Sequence, residues 1–184
     1  QRGFVYLEDV EFKNFGKVNS DRYAIKFQYR DYDHPASFIA SCSFNEGYNF
    51  AMRSDYTKGL IFTDNVATGN WGGGVFIAPD SKEFVVNDNL IIGTRQLPAV
   101  LLSSYPWLRP IAGISIHTPD GTCWGNLVAG SEGQGLAVAT ALFHLPASDR
   151  YHCSVTRTTA YTYNNETLLR NTLFLNNEAV GCRG

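Results

Sequence analysis

Charge is scarce in this chain. Only 17% of its 184 residues are Asp, Glu, Lys or Arg, and 15 basic against 17 acidic side chains leave a formal net charge of −2. Without a basic excess, the electrostatic footprint of a nucleic-acid binder is missing. No apolar run is long enough to span a bilayer as a helix. Catalytic signatures are missing as well. There is no Cys-x-x-Cys pair for zinc or thiol exchange, and Gly130-Ser131-Glu132-Gly133 has the wrong spacing for a nucleophile elbow. Asn70-Trp71-Gly72-Gly73-Gly74 is followed by no Lys-Ser/Thr pair and is no phosphate loop. An opening apolar signal segment is also lacking after Gln1-Arg2-Gly3. Either a signal has been removed or the chain is a piece of a longer one.

What is present describes a packed domain. Residues are 44% hydrophobic and 14% aromatic, with 12 Phe and 10 Tyr, which excludes disorder and leaves room for a sizeable core. At this length one domain spanning 1–184 is expected. Cys42, Cys123, Cys153 and Cys182 are an even set, as in a disulfide-bonded extracellular protein. The one Asn-x-Ser/Thr site is Asn165-Glu166-Thr167, in a polar stretch that reads as an exposed turn, so Asn165 is a candidate glycan acceptor.

Short strand-like runs recur between Gly, Asn and Asp. Tyr23, Ile25, Phe27 and Tyr29 alternate with Ala24, Lys26, Gln28 and Arg30, the period of a strand. A repeat lies over this pattern. Asp64-Asn65-Val66-Ala67-Thr68-Gly69, Asp88-Asn89-Leu90-Ile91-Ile92-Gly93 and Gly125-Asn126-Leu127-Val128-Ala129-Gly130 each run Asn, aliphatic, two residues, Gly. Cys42-Ser43-Phe44-Asn45-Glu46-Gly47 and Val10 to Gly16 share the shape, and Asn171-Thr172-Leu173 is a looser sixth copy. With Phe12, Phe44, Val66, Leu90, Leu127 and Leu173 as anchors, the spacings are 32, 22, 24, 37 and 46 residues. The shorter spacings match one coil of a solenoid, and the longer ones imply inserted loops. A second apolar run usually follows each Gly, as at Phe50-Ala51-Met52, Val75-Phe76-Ile77, Ala99 to Leu102 and Leu136 to Ala139.

The predicted fold is therefore all-β: a right-handed parallel β-helix of about six coils. No coil can bury its apolar face alone, and stacking pairs the strands around one core. Asn65, Asn89 and Asn126 would form an amide ladder at a corner, and the Gly after each strand would supply positive φ. An antiparallel sandwich whose turns share Asn and Gly is the competing architecture. In a solenoid, coils rise by about 4.8 Å, which keeps Cys42 away from Cys182. Cys123–Cys153 or Cys153–Cys182 are the feasible bridges. The closing Asn176 to Gly184 resembles the middle of a coil, so an uncovered edge there predicts a continuing chain or a packed subunit.

Candidate functional residues are few. Trp71, Tyr105 and Trp107 are loop aromatics that could stack on sugars or anchor a partner, as could Tyr48 and Tyr56. Asp55, Asp64, Asp80 and Asp88 fall in neighbouring coils and would matter if they shared a face. His34, His117, His144 and His152 sit in no motif with a defined mechanism, and Asp31, Asp33 and His34 fall short of a calcium loop. No catalytic residue, cofactor or metal set is predicted.

The repeats carry a resemblance. Ser41 to Ala51 with Lys58-Gly59-Leu60 and Asp64-Asn65-Val66, and Gly113-Ile114-Ser115-Ile116 leading into Gly125 to Gly130, resemble the parallel β-helix region of fibrocystin and fibrocystin-L type cell-surface proteins. The opening Val10-Glu11-Phe12 and closing Asn177-Glu178-Ala179-Val180 fit the same scheme, whereas 140–170 matches less well. The resemblance implies a segment of a very large extracellular protein associated with cilia or sensory projections. Its expected role is structural or adhesive, its expected partners other extracellular domains or subunits and, by the aromatics, glycans. The alternatives are a β-helix enzyme cleaving hyaluronan or pectin, and a glycan-binding module.

Overall fold

A computed structural model describes residues 4–18, 20–30, 37–78, 81–96, 112–118, 120–138, 162–163, 166–167 and 171–182. Among these, all regular structure is strand. The first coil holds β1 (Tyr6–Glu8), β2 (Glu11–Lys13) and β3 (Ile25–Arg30), and the second β4 (Ser37–Ala40), β5 (Ser43–Asn45) and β6 (Met52–Thr57). The third holds β7 (Leu60–Thr63), β8 (Val66–Thr68) and β9 (Val75–Ile77). The fourth holds β10 (Phe84–Asn87), β11 (Leu90–Ile92) and β12 (Ala112–Ile116), and the fifth β13 (Asp120–Trp124), β14 (Leu127–Ala129) and β15 (Gln134–Val138). After a small antiparallel pair, β16 (Thr162–Tyr163) with β17 (Glu166–Thr167), the sixth coil supplies β18 (Asn171–Leu175) and β19 (Glu178–Val180).

Like strands of successive coils pair in parallel. The first sheet runs β1-β4-β7-β10-β13-β18, the second β2-β5-β8-β11-β14-β19, and the third β3-β6-β9-β12-β15. This is a parallel β-helix, as the repeat predicts, with the sandwich excluded. The run Val75-Phe76-Ile77 is β9, and Leu136 to Val138 lies in β15. Ala99 to Leu102 lies outside the described residues.

Inward side chains stack coil upon coil. On the first sheet Ile39, Phe62, Val86 and Cys123 form a row at 0% exposure, and on the third Met52, Val75, Ile114 and Leu136 form a row at 4% or less. The second sheet corrects the predicted anchors. Its inward row is the partly buried Phe12 and the buried Phe44, Ala67, Ile91 and Val128, continued in register by Ala179. Val66, Leu90 and Leu127, one residue earlier, point outward, because strand side chains alternate and the preceding Asn points in. Leu173 belongs to the first sheet, opposite Thr122, and the sixth copy of the repeat is Asn177-Glu178-Ala179-Val180-Gly181.

The corner before the second sheet is made the same way in each coil. Asp9, Ser41, Asp64, Asp88, Gly125 and Asn176 all have positive φ, between 51° and 67°. Short polar side chains and Gly tolerate that conformation best. The residue that follows turns inward. Asn65, Asn89 and Asn126 are each at most 2% exposed. Asn65 Nδ2 donates to Asn89 Oδ1 at 3.1 Å, Asn89 Nδ2 to Asn126 Oδ1 at 2.9 Å, and Asn126 Nδ2 to Asn177 Oδ1 at 2.8 Å. The second Nδ2 hydrogen goes back one coil, to the carbonyls of Ile39, Phe62 and Val86. Each Oδ1 also accepts a backbone amide: Cys42 for Asn65, Asn65 for Asn89 and Asn89 for Asn126. Asn89 thus fills all four of its hydrogen-bonding places.

The glycine run at 72–74 serves the next bend. Gly73 has φ 134°, and a Cβ there would stand 2.2 Å from the Ala112 carbonyl oxygen, so no other residue fits.

Removing one rung tests the ladder. Asn89→Ala leaves the Asn65 amide and the Phe62 carbonyl without partners and is expected to cost about 2–4 kcal/mol in denaturant unfolding. Asn45→Ala, a half-exposed site, should cost under about 1 kcal/mol. Equal losses at the two positions would show that the ladder holds nothing together.

Candidate functional site

The outer face of the third sheet gathers the most polar chemistry. Strand alternation turns Lys26, Arg53, Phe76 and Ser115 outward, one from each of four neighbouring coils, and their registers align them in one row. Asp55 lies two residues along β6, opposite Gln28. Arg53 is the hub. Its Nε donates to both Asp55 oxygens at 2.9 Å and its Nη1 to the Tyr23 hydroxyl at 2.8 Å. The guanidinium lies 4.8 Å from the Phe76 ring centre and 5.4 Å from that of Tyr23, a cation between two aromatic faces. Lys26 Nζ is 3.5 Å from Asp55 Oδ2 and also bonds Asp21. The Phe76 ring contacts Phe50 at 5.5 Å and His117 at 4.9 Å.

This face is covered: Asp55 is 7% exposed and Phe76 6%. Burial shapes its titration. It pushes the Tyr23 phenol up, against the opposing pull of Arg53. Burial alone would weaken the Arg53 guanidinium, but Tyr23 and Asp55 outweigh it and raise its pKa. His117 is driven down to about 4, first by burial and then by the Arg53 charge. At neutral pH the cluster therefore holds a protonated phenol, a neutral imidazole and a carboxylate engaged by two cations. It can hold a shape and present aromatic edges, with both Asp55 oxygens engaged by Arg53.

The predicted residues fall in several places. Trp71 is half-buried at a coil bend, bridged in parallel to Arg95, whose guanidinium is 6.0 Å from the indole. Tyr105, Trp107, Asn165, Cys153, Asp31, Asp33, Asp80, His34, His144 and His152 lie outside the described residues. Tyr48 and Tyr56 are exposed. The carboxylates do not share a face: Asp55 is on the third sheet, while Asp64 and Asp88 stand exposed at the corner before the second. Among the described residues no three His, Cys, Asp or Glu side chains converge as a metal set.

Among the described residues no disulfide is seen, and Cys42, Cys123 and Cys182 are free thiols; Cys153, the shared partner of the two expected bridges, lies outside the described residues. Cys123 points into the core in the Phe62 and Val86 row, where its sulfur accepts from Asn126 Nδ2 at 3.3 Å. Burial, only slightly offset by that bond, pushes its thiol up to about 12. It acts there as a small apolar side chain.

The cluster of Tyr23, Arg53, Phe76 and His117 has no sequence motif, since its members come from four coils. The signal available was the outward half of the alternation at Lys26 and the apolar runs containing Met52 and Phe76.

Two measurements follow. His117 binds a proton less readily folded than unfolded, so between about pH 6.5 and 4 the unfolded chain carries more protons and stability falls as pH falls. The thermal midpoint should drop over that window, and His117→Gln should flatten the decline. In native alkylation followed by peptide mapping, half-exposed Cys182 should label before Cys42 and Cys123. Labelling of Cys123 at the rate of an open thiol would contradict its place in the core.

Relatives agree with this architecture. Residues 1–182 match the CEMIP beta-helix family. The chain is 31% identical to mouse fibrocystin over 103 residues, 55% of its length and 2% of that protein's. It is 30% identical to dog fibrocystin over 139 residues, 74% of its length and 3% of that protein's. No solved structure matches the chain.

Proposed function

This chain belongs to the CEMIP β-helix family, and on that premise we propose that it serves as a non-catalytic structural or adhesive segment at an extracellular surface. The likeness to fibrocystin supports a cell-surface or ciliary setting, in which the coil stack acts as a stiff spacer against other extracellular domains or subunits. One observation carries the non-catalytic half. Asp55, the described carboxylate on the third sheet's outer face, is held by Arg53 and Lys26. With both oxygens engaged by Arg53 and one of them also by Lys26, Asp55 supports a role in binding and shape.

Antibody raised to this segment should label unpermeabilised cells that express the protein. A signal confined to the cytosol rejects the extracellular setting. The protein incubated with hyaluronan or pectin should leave polymer length unchanged across pH 4–8, with or without calcium. Chain shortening that tracks with the purified protein overturns the non-catalytic reading.

A further inference from the structure

The outer face of the first sheet carries a second, exposed set of polar and aromatic groups that the preceding reading does not use. Inward Phe62, Val86 and Cys123 alternate with outward Thr63, Asn87 and Trp124, which are in register on β7, β10 and β13. Trp124 is 40% exposed, a large indole standing open on a strand. Its neighbour Asn87 is only 7% exposed, and its Oδ1 is buried with no hydrogen-bond partner. A buried carbonyl without a donor is costly, so such groups mark sites where a donor is to be supplied. Asp88 follows Asn87 with positive φ and an exposed side chain. Thr63 Oγ1 donates to Asp64 Oδ2 at 3.1 Å, which leaves the hydroxyl oxygen able to accept.

A second, independent feature lies at the same spot. The corner position is Asp, Ser or Asn in the other five coils and Gly only after Trp124. A Cβ at Gly125 would stand 2.0 Å from Asp88 Oδ1. The missing side chain leaves room for the Asp88 carboxylate beside the Gly125 backbone. The platform is also rigid. The Trp124 carbonyl accepts the Asp88 amide at 3.0 Å and Asn126 Nδ2 at 3.1 Å, which ties it to the amide ladder.

We propose that Trp124, Asn87, Asp88 and Thr63 form a binding subsite for a neutral pyranose. An indole face takes the apolar C–H side of a sugar ring, and the amide and carboxylate oxygens accept from its hydroxyls. Asp64 and Asp88 repel uronates and sulfated sugars, so the selectivity is for uncharged rings. The subsite rests on the adhesive reading above and gives it a ligand. It lies on a different sheet from the Arg53 cluster and away from Trp71.

The test is a glycan array probed with the purified chain, followed by fluorescence titration with the best neutral oligosaccharide. Galactose-, glucose-, mannose- and N-acetylglucosamine-terminated glycans are compared with hyaluronan fragments. At least one neutral glycan should bind. Trp124→Ala should weaken it about tenfold or more and Asp88→Asn by several fold, with Trp71→Ala within about twofold of the parent. Gly125→Ala should weaken it as Asp88→Asn does, since it displaces that carboxylate. Thermal midpoints check that each variant folds. If Trp124→Ala does not, protection of Trp124 from N-bromosuccinimide by the bound glycan replaces it. No neutral glycan bound, binding indifferent to Trp124→Ala (or an unprotected Trp124), or hyaluronan fragments bound equally well would each overturn the subsite. Surface labelling is scored separately, so a negative array leaves the extracellular setting standing.

Discussion

Stacking coils at a rise of about 4.8 Å obliges every buried amide at a corner to find its partners one coil above and one below. Asn meets that demand because its side chain both donates and accepts. At Asn89 the two hydrogens and both oxygen lone pairs are used, all four partners being backbone or side-chain amide groups of adjacent coils. A Gln would reach too far and a Ser would leave one direction open. Cys42 ends the row by donating its backbone amide to Asn65 while its own thiol turns to the Ala40 carbonyl. At the bend after the second sheet the requirement is looser. Asn70 bonds the Gly47 amide and the Phe44 carbonyl, and Thr94 shares a hydroxyl contact of 2.6 Å with Ser131.

That constraint also explains what the sequence made legible. The ladder announces itself because each coil needs the same residue type at the same place, so Asn65, Asn89 and Asn126 repeat visibly. The core row of the second sheet is concealed. Its strands are three residues long and present one inward side chain each, which is the small Ala67 in the third coil and Ile91 or Val128 beside an equally apolar outward neighbour. Hydrophobicity alone cannot tell Leu90 from Ile91, whereas alternation counted from the inward Asn can. In the last coil Glu178 takes the outward place of the aliphatic residue, so the motif at Asn177 lost its apolar mark and Leu173 drew attention instead.

The Arg53 cluster was illegible for a different reason. Tyr23, Arg53, Phe76 and His117 are separated by 30, 23 and 41 residues. Only the coil register brings them within contact, and coil length varies wherever a loop is inserted. Strand alternation aims Cys123 into the core, where no other described thiol meets it.

One stacking rule thus yields two unlike outer faces. On the third sheet, charges of both signs lie in adjacent coils, Lys26 and Arg53 beside Asp55, and neutralise one another under cover. On the first sheet, the aligned residues are Thr63, Asn87 and Trp124, and among the described residues the Asp64 and Asp88 carboxylates at the neighbouring corner form no salt bridge. Backbone pairing is the same on both sheets, so the difference lies wholly in which side chains the alternation turns outward. Interior rows hold the rod together at each coil, and outward rows are free to vary without disturbing it. A β-helix can therefore carry a locked, structural face and an open, polar-aromatic face on the same few coils, and Gly125 marks the one described corner where backbone space has been left for a neighbour's carboxylate.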